Sequence, residues 1–216
     1  MLNLKFIEIA ISFLALIYAI IFHEIAHGYV ALKLGDSTAK NRGRLTLNPI
    51  PHLDILGSIL LPALLIVTGS PFIIGWAKPV PVSTIYFKNP IKDMMKVAIA
   101  GPLTNFSIAL FCSFILKTIL FLKIGINSPT GIILHYFTVF LVYSIQINVV
   151  LGIFNLLPIP PLDGSRVLLN FLPYHLQSKF MMFERYGFAL LFILIYFGFF
   201  RIILSFIALP IIRFLL

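Results

Sequence analysis

A chain of 216 residues that is 60% hydrophobic and only 11% charged lacks the polar surface a water-soluble protein of this size carries, where about 25% charged is usual. The composition predicts an integral membrane protein. Net charge is +9, but the basic residues fall between apolar stretches and form no patch interleaved with aromatics. Contact with an anionic cytoplasmic leaflet accounts for them, and nucleic acid is not an expected partner.

About 20 apolar residues cross the hydrocarbon core. Phe6 to Leu34 reads as one long helix, ended by Gly35-Asp36. It is too long for a signal-peptide core and no small-residue cleavage site follows, so the span is expected to be retained. Residues 36–54 are polar and turn-rich. His52 and Asp54 form an HxD pair there, open to two readings: further metal ligands or plain loop polarity. Ile55 to Val67 is apolar but short, interrupted by Gly57 and Pro62. Gly75 to Val82 contains prolines two apart, which demands extended backbone. Pro79 and Pro81 strip donors from one edge of that segment, while the amides of Val80 and Val82 point from the other. That edge suits either pairing with an unwound substrate strand or a rigid return loop.

Met95 to Leu122 and Ile132 to Leu157 read as full spans, the second broken by Pro158, Pro160 and Pro161. Gly187 to Phe200 is a further span. An apolar tail (202–212) between Arg201 and Arg213 either extends it or lies along the interface. The expected fold is an all-α polytopic bundle of about five to six spans, with a short extended or re-entrant segment near 55–82. It forms one domain over 1–216, with a catalytic core of about 6–172 and a C-terminal span or spans in 186–216. The lone Cys112 excludes an intramolecular disulfide.

The chemistry sits at His23-Glu24-Ile25-Ala26-His27 in the first span. Two imidazoles and a carboxylate are costly to hold in lipid without a function. Residues four apart share a helix face, so His23 and His27 can bind one metal with Glu24 beside it. This spacing is the zinc-metalloprotease pattern, with histidine ligands and a glutamate base. Helix rise puts His23 roughly 26 Å beyond Phe6 in a ~30 Å core. Most basic residues, Lys33, Lys40, Arg42, Lys92 and Arg166 among them, fall on the face bearing the ends of Phe6–Leu34 and Ile132–Leu157, which turns the site toward the cytoplasm. A catalytic zinc takes three protein ligands. The candidate third is Asp163 in Asn155-Leu156-Leu157-Pro158-Ile159-Pro160-Pro161-Leu162-Asp163-Gly164, a carboxylate in apolar sequence after a proline break.

These segments, with Asn48-Pro49, Gly75–Val82 and Ala100-Gly101-Pro102-Leu103-Thr104-Asn105, occur in an order that resembles the site-2 protease family, zinc-dependent intramembrane metalloproteases, in its compact bacterial and archaeal branch. The resemblance covers most of residues 20–170. It implies one catalytic Zn2+ on His23, His27 and Asp163, Glu24 as general base, and cleavage of transmembrane protein substrates in the cell membrane. It also implies that Asn155 faces the site as a donor to the developing oxyanion, with Asn105 as a second candidate for a substrate or transition-state role. Asn148 reads as interhelical hydrogen bonding or cavity lining. Two other functions suit a His/Asp cluster in a membrane: a metal or ion transit site, and a non-catalytic binding protein of the same fold. Transport needs ligands spaced along a path, and mere binding does not need Glu24.

Overall fold

The structure, a computed structural model, describes residues 2–60, 64, 67–68, 76–122 and 131–216. The Pro62 break and the first residue of Gly75–Val82 lie outside the described residues. Helix α1 (Leu2–Lys33) runs unbroken through a sequence free of proline and ends where Gly35 turns left-handed at φ +106°. At 32 residues it is about 48 Å long, more than the hydrocarbon core needs. A one-turn helix, α2 (Thr38–Asn41), follows, and then a short turn at Ile50–His52 and a wide helical turn at Ile55–Leu60. Residues 76–83 form neither helix nor strand ladder, consistent with the paired prolines, and Ser83 at their end is extended. This segment is called the strap below.

Helix α3 (Pro90–Phe121) starts with proline at its first position, where a missing N–H costs nothing, and Asp93 in its first turn accepts the Asn89 amide at 3.0 Å. Helix α4 (Gly131–Asn155) ends three residues before Pro158. The helices α1, α3 and α4 form the central bundle. Buried Ala15, Ala19 and Ala31 let the neighbours of α1 approach closely. Gly152 leaves room for Phe106, whose ring would lie 2.9 Å from any added Cβ.

Beyond α5 (Asp163–Phe171) come α6 (Tyr174–Phe183), α7 (Gly187–Tyr196), α8 (Phe199–Ile203) and α9 (Leu209–Leu215). The chain bends by 69° between 174–196 and 199–215, at Gly198 with φ +76°. The tail after the bend folds back onto the bundle: Ile203, Ala208, Ile212 and Leu215 are buried with Ala109, Leu116, Leu141 and Ile145. Phe13, Phe111, Phe114 and Phe121 point outward and are exposed, which suits lipid contact. Among the described residues there is no strand. Among the described residues three helices are long and apolar enough to cross a membrane, or four if the bent pair counts as one span. Five to six had been expected over the whole chain; most of 61–75, where one of those spans was placed, lies outside the described residues, and the bend interrupts the C-terminal apolar sequence.

Candidate active site

His23 and His27 lie one turn apart on the buried face of α1, and α5 brings Asp163 to them from the far end of the bundle. Asp163 Oδ2 stands 3.1 Å from His23 Nε2 and 3.3 Å from His27 Nε2. The two imidazole nitrogens are 3.0 Å apart. Tetrahedral zinc with ligands at ~2.0–2.1 Å separates its ligand atoms by about 3.3 Å.

The protonation of the rings follows from their other nitrogens. His27 Nδ1–H donates to the Val97 carbonyl at 2.7 Å. His23 Nδ1–H donates to Asn105 Oδ1 at 2.6 Å, because the Asn105 amide spends its own hydrogens on Ala19 O (3.2 Å) and Asn148 Oδ1 (2.8 Å). Asn148 in turn donates to Ser144 O at 2.8 Å, which fixes its orientation. In the neutral rings both Nε2 atoms are therefore lone pairs, and they face a carboxylate oxygen that is itself buried without a hydrogen-bond donor. Three acceptors crowded together repel unless a cation lies among them. The residues fit zinc, and the outer hydrogen bonds hold both rings in the tautomer that a metal requires.

Two glycines make the approach possible. A Cβ at Gly101 would sit 2.5 Å from both His23 Cε1 and His27 Nε2, so α3 can back the rings only with no side chain there. At Gly164 a Cβ would meet the Leu156 carbonyl at 2.2 Å, so α5 can tuck under the end of α4 and deliver Asp163 only with glycine. Pro102 leaves the Ala98 carbonyl without its helical donor, next to the Val97 acceptor.

A cavity of about 350 Å³ opens beside the three ligand atoms, lined among others by Glu24, Val80, Val82, Asn155 and Arg166. Glu24 Oε2 accepts the Val80 N–H at 2.7 Å. The Val82 amide has no partner among the described residues. Asn155 turns one amide hydrogen back to Leu151 O at 3.1 Å, which leaves its second N–H uncommitted. Arg166 is paired with Glu184 at the rim. Asn105, expected to reach a substrate, does not line this cavity. It is fully buried behind His23 with both ends of its amide engaged. His52 and Asp54 also stand apart from the ligand atoms: His52 Nε2–H donates to Thr46 O at 2.9 Å, and Asp54 accepts the Gly57 amide at 2.8 Å. Among the described residues no second group of three metal-capable side chains forms.

The sequence profile of peptidase family M50 matches residues 11–194, which include every residue of this cluster. The chain belongs to peptidase family M50. Membership makes this M50 chain a metalloendopeptidase of the site-2 protease type, and His23, His27 and Asp163 are its candidate zinc ligands. Its relatives include YwhC of Bacillus subtilis, named as a zinc metalloprotease, 42% identical over 185 residues that cover 84% of this chain and 78% of that protein. MJ0611 of Methanocaldococcus jannaschii, named likewise, is 34% identical and covers 77% of this chain and 73% of its own. Rip2 of Mycolicibacterium smegmatis, also so named, is 28% identical over 80% of this chain and 61% of its own. No solved structure matches the chain significantly.

Sequence reasoning missed the Val97 carbonyl and the Asn105–Asn148–Ser144 chain as supports of the metal site. Backbone acceptors leave no trace in composition, and an asparagine behind a ligand looks like one facing a substrate. Asn105→Ala is expected to lower zinc affinity about 10- to 100-fold, the usual cost of losing the partner of a ligating histidine. Competition with a chromophoric chelator checks this.

Proposed function

We propose that this chain is an intramembrane zinc endopeptidase that hydrolyses peptide bonds within or beside transmembrane segments of other membrane proteins, as in regulated intramembrane proteolysis. Its site opens toward the cytoplasmic side of the cell membrane. One observation carries the reading: three potential ligand atoms from α1 and α5 meet at 3.0–3.3 Å beside the Glu24 carboxylate, on a helix whose outer face is apolar. Lys33, Lys92 and Lys96 cluster at the end of the bundle nearest the site, which supports the cytoplasmic orientation. Five or six crossings, with 55–82 dipping in and returning, would keep both ligand-bearing ends on that side.

His23, His27 and Asp163 would hold the zinc, which when bound supplies Lewis-acid activation of water and of the scissile carbonyl. Glu24 takes the proton released as water adds to the carbonyl carbon. It returns that proton to the amide nitrogen as the C–N bond breaks, leaving one carboxyl and one amine terminus. The uncommitted Asn155 N–H donates to the carbonyl oxygen as charge develops on it. The Val80–Val82 edge receives the substrate main chain in extended form, because a helical substrate shields its carbonyls until it unwinds. Val80 N–H leaves Glu24 as this happens.

The test is a single-span reporter helix incubated with purified protein in detergent. Cleavage that stops with a zinc chelator and returns with added zinc is the expected result. A binding protein would retain the reporter uncut, and a transporter would carry metal into sealed vesicles without cutting anything. Either outcome replaces this reading.

A further inference from the structure

The loop between α1 and the Ile50–His52 turn buries two charges that the hydrolytic chemistry does not use. Asp36 is 0% exposed and Arg44 6%. Each follows a left-handed glycine, Gly35 at φ +106° and Gly43 at φ +64°, so the chain turns sharply to deliver both side chains inward. Both end on the strap. Asp36 accepts the Ser83 amide at 2.6 Å, and also the amide and hydroxyl of Thr38. Burial pushes its carboxyl up, but the Ser83 and Thr38 donors outweigh this and hold it below the ordinary carboxylate range. At the other end Arg44 Nη2 donates to the carbonyls of Lys78 (2.6 Å) and Pro79 (3.3 Å), and the Lys78 amide donates to His52 O at 2.9 Å.

Among the described residues Arg44 has no carboxylate partner, and its Nε has no acceptor. A buried guanidinium in that state is costly, so closing a loop is a poor account of it. The strap explains the choice. Proline at 79 leaves the backbone here short of donors, and a group made solely of donors suits the adjacent Lys78 and Pro79 carbonyls. Next to these held carbonyls, Val80 N–H meets Glu24 Oε2 at 2.7 Å on the cavity wall. Gly28, one turn after Glu24, completes the seat: a Cβ there would lie 2.6 Å from Leu45 and 2.9 Å from Val80.

We propose that Arg44, seconded by Asp36, is a positioning residue of the protease: it fixes the register of the strap against Glu24 and so selects which peptide bond of a substrate lies over the zinc site. This rests on the protease reading for its consequence, but the clamp itself is testable without cleavage. Full-length wild type, Arg44→Lys, Arg44→Gln and Asp36→Asn, all zinc-loaded in detergent, would be compared by hydrogen exchange over residues 76–83. Since Pro79 and Pro81 have no amide, the hydrogen-bonded amides of Trp76, Lys78, Val80 and Ser83 dominate that signal. Loss of one or two hydrogen bonds predicts exchange about tenfold faster in both Arg44 variants, with bound zinc and helix content unchanged. On a reporter helix the same variants should raise KM about tenfold with a smaller change in kcat, and spread the single cut over neighbouring bonds. Asp36→Asn should shift both readouts in the same direction.

Wild-type exchange together with an unchanged single cut in both Arg44 variants would overturn the proposal. So would loss of zinc or of folding in all three variants, which would make the pair merely structural. If the wild type cuts no reporter, the protease reading fails while the exchange comparison still decides whether the clamp exists.

Discussion

Glu24→Gln is expected to bind zinc like the wild type and to cleave a reporter helix about 10²–10⁴-fold more slowly, the usual loss when a general base is removed. Glutamine keeps the shape of the side chain, and its amide oxygen can still accept the Val80 N–H that Glu24 Oε2 accepts at 2.7 Å. The strap and the three ligand atoms should therefore stay where they are. Only the ability to take and return a proton goes. Zinc stoichiometry and cleavage rate measured on one preparation separate the two effects. Full activity in this variant would remove Glu24 from the mechanism. The same variant expressed in cells should leave its substrates as accumulated uncut membrane helices, which a proteomic comparison with wild-type membranes would reveal.

Asp163→Asn should lose zinc and activity together. Asn105 and Val97 hold His23 and His27 with Nε2 turned to the metal site, but two neutral nitrogens without the carboxylate give neither the charge nor the three-ligand set a catalytic zinc requires. The affinity loss should exceed the roughly 10- to 100-fold typical of an outer hydrogen-bond partner. A second signature distinguishes this from misfolding. Where both rings are neutral, the metal-free wild type sets three acceptor atoms against one another. The asparagine amide puts donors into that space, so the metal-free variant should melt no lower than the metal-free wild type. Zinc should raise the melting temperature of the wild type alone. A variant that keeps tightly bound zinc would exclude Asp163 as a ligand.

The contrast between these variants reflects how the site is divided. Glu24 lies on the cavity wall, reachable by water and by the strap, whereas the ligand atoms are walled in by α3. Gly101 is the wall's closest point, where even a methyl group would press on both imidazoles. The strap covers the same cavity from the opposite side, and its clamp residues come from a loop far from the ligands in the chain. The base and the strap therefore share one hydrogen bond, so displacing either should be felt by the other.

Much of this was readable from local spacing. Histidines four apart must share a face of any helix, and a long apolar run must be a helix in lipid, so His23, Glu24 and His27 and their setting followed from α1 alone. Paired prolines forced the strap to be extended wherever it lay. The apolar surroundings of Asp163 marked it as needing a partner, yet no pattern in residues 155–164 says which one. That depended on α5 tucking beneath α4 through Gly164. Packing across the bundle likewise set the function of Asn105 behind a ring, the pairing of Val80 with Glu24, and the grip of Arg44 on the strap. Periodicity is a property of neighbours along the chain, so it specifies faces and spans. Which faces meet depends on side-chain volumes and hydrogen bonds between segments dozens of residues apart, and only the assembled helices bring those together.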